Sequence, residues 1–159
     1  MSKVVIIMGS KADLEWANKI TSVLNSLEIE TVSRIASAHK VPLKCYELIK
    51  EYEKQNVVFI TIAGMSNALS GFTDAQTHCP VIACPPYSDK FGGADLYSSI
   101  RMPSGVAPLT VISPENAALA AAKIIGLSNQ HIKSKIVEYQ VKKRIELEKA
   151  DKNLIEGKE

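Results

Sequence analysis

The chain has 159 residues, of which 46% are hydrophobic and 23% charged, and its formal net charge is +2. This size and composition are typical of one globular domain with a substantial core. The small net charge argues against a nucleic-acid-binding surface. No apolar run approaches the roughly 20 residues that span a bilayer, and the first residues lack the region order of a signal peptide.

The three cysteines, Cys45, Cys79 and Cys84, form no C-x-x-C pair. An odd number without metal-binding spacing argues against a disulfide framework or a zinc site. We therefore expect a reducing, cytoplasmic location, no bound metal, and cysteines that behave as small buried hydrophobes.

Five short segments have strand character. Residues 4–8 are apolar, mostly β-branched and followed by Gly9-Ser10, which is typical of a strand buried on both faces. The other four segments are residues 31–35, 57–63, 81–84 and 109–112. Residues 31–35 contain Arg34 and have the weakest strand character.

Helical spacing fills the gaps between these strands. Residues 13–27 place one apolar face toward the core, and the single tryptophan, Trp16, lies on that face. Further helices are predicted over residues 42–53, 67–77, 94–101 and 114–125.

Strands that alternate with helices predict a parallel sheet with right-handed crossovers. Five strands in a chain this short predict an α/β, flavodoxin-like three-layer sandwich with strand order 2-1-3-4-5. We expect one domain over residues 1–159, with its core in 1–127 and a C-terminal helical extension in 128–159.

The extension carries an apolar helical stripe. Such a stripe must be buried, either on the chain's own body or on another subunit, and we favour the second subunit. The stripe consists of Ile132, Ile136, Tyr139, Leu147, Ala150 and Leu154.

In open parallel sheets, ligands bind outside the carboxyl ends of the strands, where the strand order reverses. The predicted order brings the loops after strands 1, 2 and 3 to that place. The second loop, Ser37-Ala38-His39-Lys40, combines a hydroxyl, an imidazole and an ammonium. Histidine can exchange a proton near neutrality, and lysine offers a point charge to a phosphate or carboxylate. A lone loop histidine is usually only exposed, but this position makes His39 the candidate acid/base.

Each of the other two loops has a structural alternative. The first leads into a helix N-terminus, which favours a phosphate, but Ser10 and Asp13 also have the spacing of a capping box. In the third loop, Gly64 permits close backbone approach and Ser66 offers a hydroxyl. A glycine turn followed by a helix cap explains the third loop equally well, so both alternatives stay open.

Other polar features are less informative. Residues 85–93 fit a covering loop, a subunit contact or a plain surface loop. Arg101 is able to meet an anion, although a solvated arginine is the commoner case. His78 and His131 are interpreted as structural or exposed, and no metal site is indicated.

Four motifs in this order resemble the PurE family of purine biosynthesis. The resemblance covers residues 4 to about 129, and the family's fold is the flavodoxin-like sheet predicted above. The motifs are Met8-Gly9-Ser10-Lys11-Ala12-Asp13, Ser37-Ala38-His39-Lys40, Ala63-Gly64-Met65-Ser66-Asn67-Ala68-Leu69-Ser70-Gly71 and Arg101-Met102-Pro103-Ser104-Gly105.

The PurE family has two branches. A mutase moves the carboxylate of carboxyaminoimidazole ribonucleotide from the exocyclic nitrogen to a ring carbon. A carboxylase acts directly on aminoimidazole ribonucleotide and carbon dioxide. The mutase branch has arginine after the histidine and a Gly-Gly-Ala-Ala-His run in the third loop, whereas this chain has Lys40 and no histidine in residues 65–69. Residues 84–86 and 99–101 also resemble the carboxylase branch.

The resemblance therefore implies a phosphoribosylaminoimidazole carboxylase that needs no ATP, biotin, metal or other cofactor. It implies His39 as general acid/base, a homotetramer, and Ala12 in place of a phosphate-binding serine. The alternatives are the mutase and, in a different class, a non-catalytic flavodoxin-like ligand-binding module. The implied substrate-binding residues are Ser10, Asp13, Ser37, Lys40, Gly64 and Ser66.

Overall fold

The computed structural model describes residues 2–158 and contains one parallel five-stranded sheet. The strand order is β2-β1-β3-β4-β5, as predicted, and the fold is flavodoxin-like. β4 and β5 are shorter than the apolar runs that predicted them. The strands are β1 (Lys3–Met8), β2 (Glu30–Ile35), β3 (Val57–Ile62), β4 (Val81–Ala83) and β5 (Leu109–Thr110).

The burial of each strand follows its place in the sheet. β1 lies between β2 and β3, and every residue from Val4 to Met8 is buried. β3 is buried along its whole length, which explains its continuous apolar sequence. β2 lies at the edge of the sheet, and none of its residues is fully buried. Arg34 is tolerated there because its side chain hydrogen-bonds the Tyr52 hydroxyl at 2.9 Å.

Helices cover both faces of the sheet. Alternate residues of β1 point to opposite sides, so Val4 and Ile6 join one hydrophobic cluster and Val5 and Ile7 join the other. The first cluster includes residues of α1, α5 and α6, and the second includes residues of α2 and α3. The helices are α1 (Leu14–Ser26), α2 (Pro42–Tyr52), α3 (Ala68–Ala75), α4 (Tyr97–Ile100), α5 (Pro114–Gly126) and α6 (Gln130–Ile155).

The C-terminal helix α6 divides its apolar stripe between two environments. Ile132 and Ile136 are buried against the chain's own body, where Gly126 permits close approach. A Cβ atom at Gly126 would lie 3.2 Å from Cδ1 of Ile136. Leu147 and Leu154 are 72% and 80% exposed. The expectation that the stripe is buried on another subunit is therefore wrong for its first half.

Among residues 2–158, no helix has both the length and the apolarity to cross a membrane.

A charge cluster attaches the start of α6 to the turn between α1 and β2. Glu28 accepts a hydrogen bond from Nζ of Lys135 at 2.6 Å, and its other oxygen lies 2.9 Å from Nε2 of His131. The hydrogen bond from Lys135 lowers the pKa of the Glu28 carboxyl most, and the contact with His131 lowers it further. Glu28 also has a φ of +60°, so its backbone is in the left-handed region.

Glu28→Gln is expected to loosen the attachment of α6 at neutral pH, because the neutral amide loses the charge attraction to Lys135. A carboxylate with a lowered pKa stabilises the folded state above its ordinary pKa, and this contribution is lost as the pH falls through the lowered value. The protection of the amides of residues 131–136, meaning their exchange rates relative to an unfolded chain at the same pH, should therefore decrease on acidification in the unchanged chain, and less so in the variant.

Glu148→Gln provides the matched control, because Glu148 lies on the exposed second half of the same helix. Equal amide protection in the Glu28 and Glu148 variants at each pH of this range would contradict the role of the cluster.

Candidate active site

The loops that follow β2, β1, β3 and β4 begin side by side at the carboxyl ends of the parallel strands. The backbone ladder continues one residue beyond each strand, since Ala36 N–H donates to the Met8 carbonyl at 2.9 Å and Gly9 N–H to the Ile62 carbonyl at 2.8 Å. Cys84 N–H likewise donates to the Thr61 carbonyl at 2.9 Å. The structure therefore brings the three predicted loops to the reversal point of the strand order.

The first loop, residues 9–13, forms the capping box that its spacing allowed. Oδ2 of Asp13 accepts hydrogen bonds from the Ser10 N–H at 2.9 Å and the Ser10 hydroxyl at 3.1 Å. The Ser10 hydroxyl in turn accepts from the Ala12 N–H at 3.2 Å. Both contacts of Asp13 use the same oxygen, so Oδ1 lies outside the cap. Forming the cap leaves that oxygen able to meet a ligand.

Gly9 allows this first loop to lie against the third. A Cβ atom at Gly9 would come within 3.3 Å of Cβ of Ala63 and 3.6 Å of the Ile62 carbonyl oxygen. A larger residue would push the two loops apart, so the close approach requires glycine.

The second loop, residues 37–40, is a local turn. The Ser37 hydroxyl accepts from the Lys40 N–H at 3.2 Å, and the Ser37 carbonyl accepts from the Val41 N–H at 2.9 Å. The side chains of His39 and Lys40 are both exposed. Within residues 2–158 neither side chain makes a hydrogen bond or ion pair, so the imidazole and the ammonium are available to a ligand.

The third loop, residues 64–67, follows β3 and caps α3. Met65 has a φ of +58°, which is uncommon for a residue other than glycine. Met65 and Ser66 are exposed, whereas Asn67 is only 4% exposed. Oδ1 of Asn67 accepts from the Ser70 N–H at 3.2 Å, which caps the helix.

The second and third loops stand on opposite sides of the first. Because neighbouring strands are about 4.8 Å apart, the ends of β2 and β3 are separated by about 10 Å. His39 and Lys40 therefore lie on one side of a shallow cleft, Gly64 and Ser66 on the other, and Ser10 and Asp13 between them. A single ligand about 10 Å long could contact both sides.

The segment after β4 forms a further wall. A Cβ atom at Gly64 would lie 3.9 Å from Cδ of Pro86, so the third loop touches this segment. Beyond it lies a mostly apolar cavity of about 100 Å³. Its lining includes Pro85, Pro86, Tyr87, Leu96 and Ile112.

The cysteines are unsuited to nucleophilic catalysis. Burial raises the pKa of the Cys45 thiol to about 11 and that of the Cys84 thiol, beside the third loop, to about 12. Both thiols are therefore protonated at neutral pH, whereas the thiolate is the reactive form.

Two of the remaining polar candidates, His78 and His131, lie apart from the cleft. His78 is exposed and precedes β4, so it lies at the amino ends of the strands, opposite to the three loops. His131 is on α6 and pairs with Glu28. Arg101 is exposed and makes no ion pair within the described chain. Across residues 2–158, no three His, Cys, Asp or Glu side chains form a group that could hold a metal ion.

Asn67 is the polar residue of the cleft that sequence reasoning left out. The signal was available, because asparagine between a strand end and an apolar helical stretch is typical of a helix N-cap. Its long-range contacts to Ser98 and Ser99 had no such signal.

Comparisons with known proteins agree with this arrangement. The model of the AIR carboxylase family matches residues 3–146. The chain is 62% identical to a phosphoribosylaminoimidazole carboxylase of Archaeoglobus fulgidus, over 96% of this chain and 84% of that protein. It is 49% identical to the same-named protein of Treponema denticola, over 86% of this chain and 87% of that one.

The fold agrees as closely as the sequence. The crystal structure of Treponema denticola PurE superposes with a TM-score of 0.94 at 45% identity, covering 97% of this chain and 99% of the other. The match spans both the sheet and α6, and the family model covers all three loops of the cleft. The chain belongs to the AIR carboxylase family.

Proposed function

We propose that this enzyme interconverts aminoimidazole ribonucleotide plus carbon dioxide with carboxyaminoimidazole ribonucleotide, with His39 as general acid/base. The observation that carries the proposal is the position of the 37–40 turn, whose exposed imidazole lies beside the first loop at the reversal point of the sheet. The chain's high identity to two proteins named phosphoribosylaminoimidazole carboxylase supports the same reaction. Membership of an enzyme family also argues against a non-catalytic module.

The chemistry needs only one well-placed proton acceptor. The aminoimidazole ring is an enamine-like nucleophile, so its ring carbon forms a carbon–carbon bond to carbon dioxide, and the electron pair of one C=O bond moves to oxygen. The attacked carbon then carries both hydrogen and carboxylate. His39 takes that proton, the C–H electrons restore the aromatic ring, and the reverse reaction returns the proton.

The surrounding residues fit the binding of an anionic nucleotide. Lys40 supplies a positive charge next to His39, where a phosphate or the new carboxylate can meet it. Ser37, Ser10 and Ser66 offer hydroxyls, and Gly64 allows the backbone to approach the ligand. Asp13 would bind ribose hydroxyls with its free Oδ1, since its charge repels phosphate.

His39→Asn is expected to lower kcat by at least about 10²- to 10⁴-fold, the usual contribution of a general acid or base. The fold should be kept, because the imidazole is exposed and unbonded within the described residues. The rate of consumption of aminoimidazole ribonucleotide gives the measurement, and circular dichroism checks the fold.

His78→Asn is the matched control, since His78 is also exposed but lies at the other edge of the sheet. It should keep wild-type kcat. Substantial turnover in the His39 variant would refute the assignment of the acid/base.

The two branches of the family can be separated with substrates. We expect the enzyme to consume aminoimidazole ribonucleotide when bicarbonate supplies carbon dioxide, and to leave the nitrogen-carboxylated isomer unused. Lys40 after His39 and the absence of histidine from residues 65–69 support this choice. The assay follows each nucleotide separately by chromatography. Consumption of the isomer alone would show a mutase instead.

We also propose a cytoplasmic homotetramer built from one-domain subunits. Ile132 and Ile136 belong to the main hydrophobic cluster, so the extension 128–159 is part of the same domain as residues 1–127. The second half of α6 leaves apolar side chains exposed, and a neighbouring subunit would bury them. All three cysteines are free and buried, as suits a reducing compartment.

Light scattering should give a mass about four times the 17.3 kDa of one chain. Replacing both Leu147 and Leu154 with glutamate should reduce that mass, because both are exposed on the projecting part of α6. A monomeric mass for the unchanged protein would rule out the tetramer.

A further inference from the structure

A chain of buried polar side chains links the third loop to the segment around α4. Asn67 occupies its centre. Nδ2 of Asn67 donates to the Ser70 hydroxyl at 2.7 Å and to the Ser99 hydroxyl at 2.9 Å. The Asn67 N–H donates to the Ser98 hydroxyl at 2.9 Å. Asn67, Ser70 and Ser99 are each at most 4% exposed, so these contacts are shielded from water.

The network fixes the orientation of the Asn67 amide. Oδ1 accepts from the Ser70 N–H, so a flipped amide would set its NH₂ group against another donor. With Nδ2 donating to Ser70, the Ser70 hydroxyl is free to donate to Oγ1 of Thr61 at 2.8 Å. Thr61 can then donate to the Ile82 carbonyl at 3.4 Å. Every proton in this sequence has an acceptor, and both N–H groups of the amide are used.

Met65 explains why the third loop needs such support. Its φ of +58° costs free energy for a residue with a Cβ atom, and its side chain is 66% exposed and gains little from packing. Two backbone contacts hold the turn. The Ser98 hydroxyl shares its one proton between the Asp95 carbonyl at 2.7 Å and the Met65 carbonyl at 3.1 Å. The Ala68 N–H donates to the Ser66 carbonyl at 3.0 Å. The Asn67 backbone N–H donates to the same Ser98 hydroxyl, and Asn67 follows Ser66 directly.

We propose that Asn67 is a positioning residue that holds residues 64–66 in the conformation that receives the nucleotide. The inference rests on the proposed function, since it takes Gly64 and Ser66 as substrate-binding residues. Asn67 acts from beneath the cleft: its buried side chain joins the loop to Ser70 of α3 and to Ser99, while its backbone N–H donates to Ser98. Its contribution is to keep a strained turn in a single conformation before the ligand arrives.

Asn67→Ala is expected to raise KM for aminoimidazole ribonucleotide by about ten- to a hundredfold, with a smaller change in kcat, because the loop no longer presents Ser66 correctly. Ser99→Ala removes one acceptor and should shift KM in the same direction by less. Ser99→Ala is the milder variant, so it keeps the test valid if Asn67→Ala prevents folding.

Thr73→Val is the matched control. Thr73 is fully buried in α3, the helix that Asn67 caps, but its hydroxyl has no hydrogen-bond partner within the described residues. The valine variant should keep KM within about twofold of the wild type. Met65→Gly added to Asn67→Ala should recover part of the lost affinity, since glycine adopts a positive φ without strain. A purely structural role for Asn67 predicts no such recovery.

Two results would overturn the proposal. One is an unchanged KM in both the Asn67 and Ser99 variants; the other is a crystal structure of Asn67→Ala in which Met65 keeps its left-handed φ. The crystal structure needs no activity, so it decides the matter even if the wild-type enzyme fails to consume aminoimidazole ribonucleotide. That failure would count against the proposed function and leave the role of Asn67 to be judged on the loop conformation.

Discussion

The site depends on the pairing of β1 on both of its edges. A strand buried on both faces cannot leave its N–H and C=O groups unpaired, because water does not reach them. β1 meets this requirement with β2 on one side and β3 on the other, both parallel to it. Since parallel strands end at the same edge of a sheet, the three loops that follow them must start together. The cleft is thus a consequence of how the interior satisfies its hydrogen bonds.

The three loops of the cleft are held in different ways. The first is fixed by its own capping box and the second by a local serine turn, so each is stabilised by residues within four positions of one another. The third depends on Ser98 and Ser99, more than thirty positions further along the chain. Local turns leave the side chains of His39 and Lys40 exposed, as the acid/base and anion-binding roles proposed for them require. The third loop instead gains its shape from tertiary contacts.

The C-terminal helix is attached to the rest of the described chain along its first half only. Its first half packs in the hydrophobic cluster with α1 and α5. Lys135 of α6 also pairs with Glu28 in the turn after α1. Its second half projects with exposed apolar residues, and further apolar side chains are exposed around α4 and β5. A helix that is anchored at one end and free at the other is suited to reach a neighbouring subunit.

The sequence by itself determined the five strands, the helices between them, the strand order and the three loops at the reversal point. Apolar periodicity and short-range spacing encode the strands, the helices and the capping box of Ser10 and Asp13 locally. The strand order and the meeting of the loops followed from the alternation of strands with helices, which allows few sheet topologies. Only the tertiary structure decided that the stripe of α6 is half buried and that Asn67 reaches Ser99. Each of these depends on residues that are distant in sequence and meet only when the sheet is assembled, so no local pattern records them.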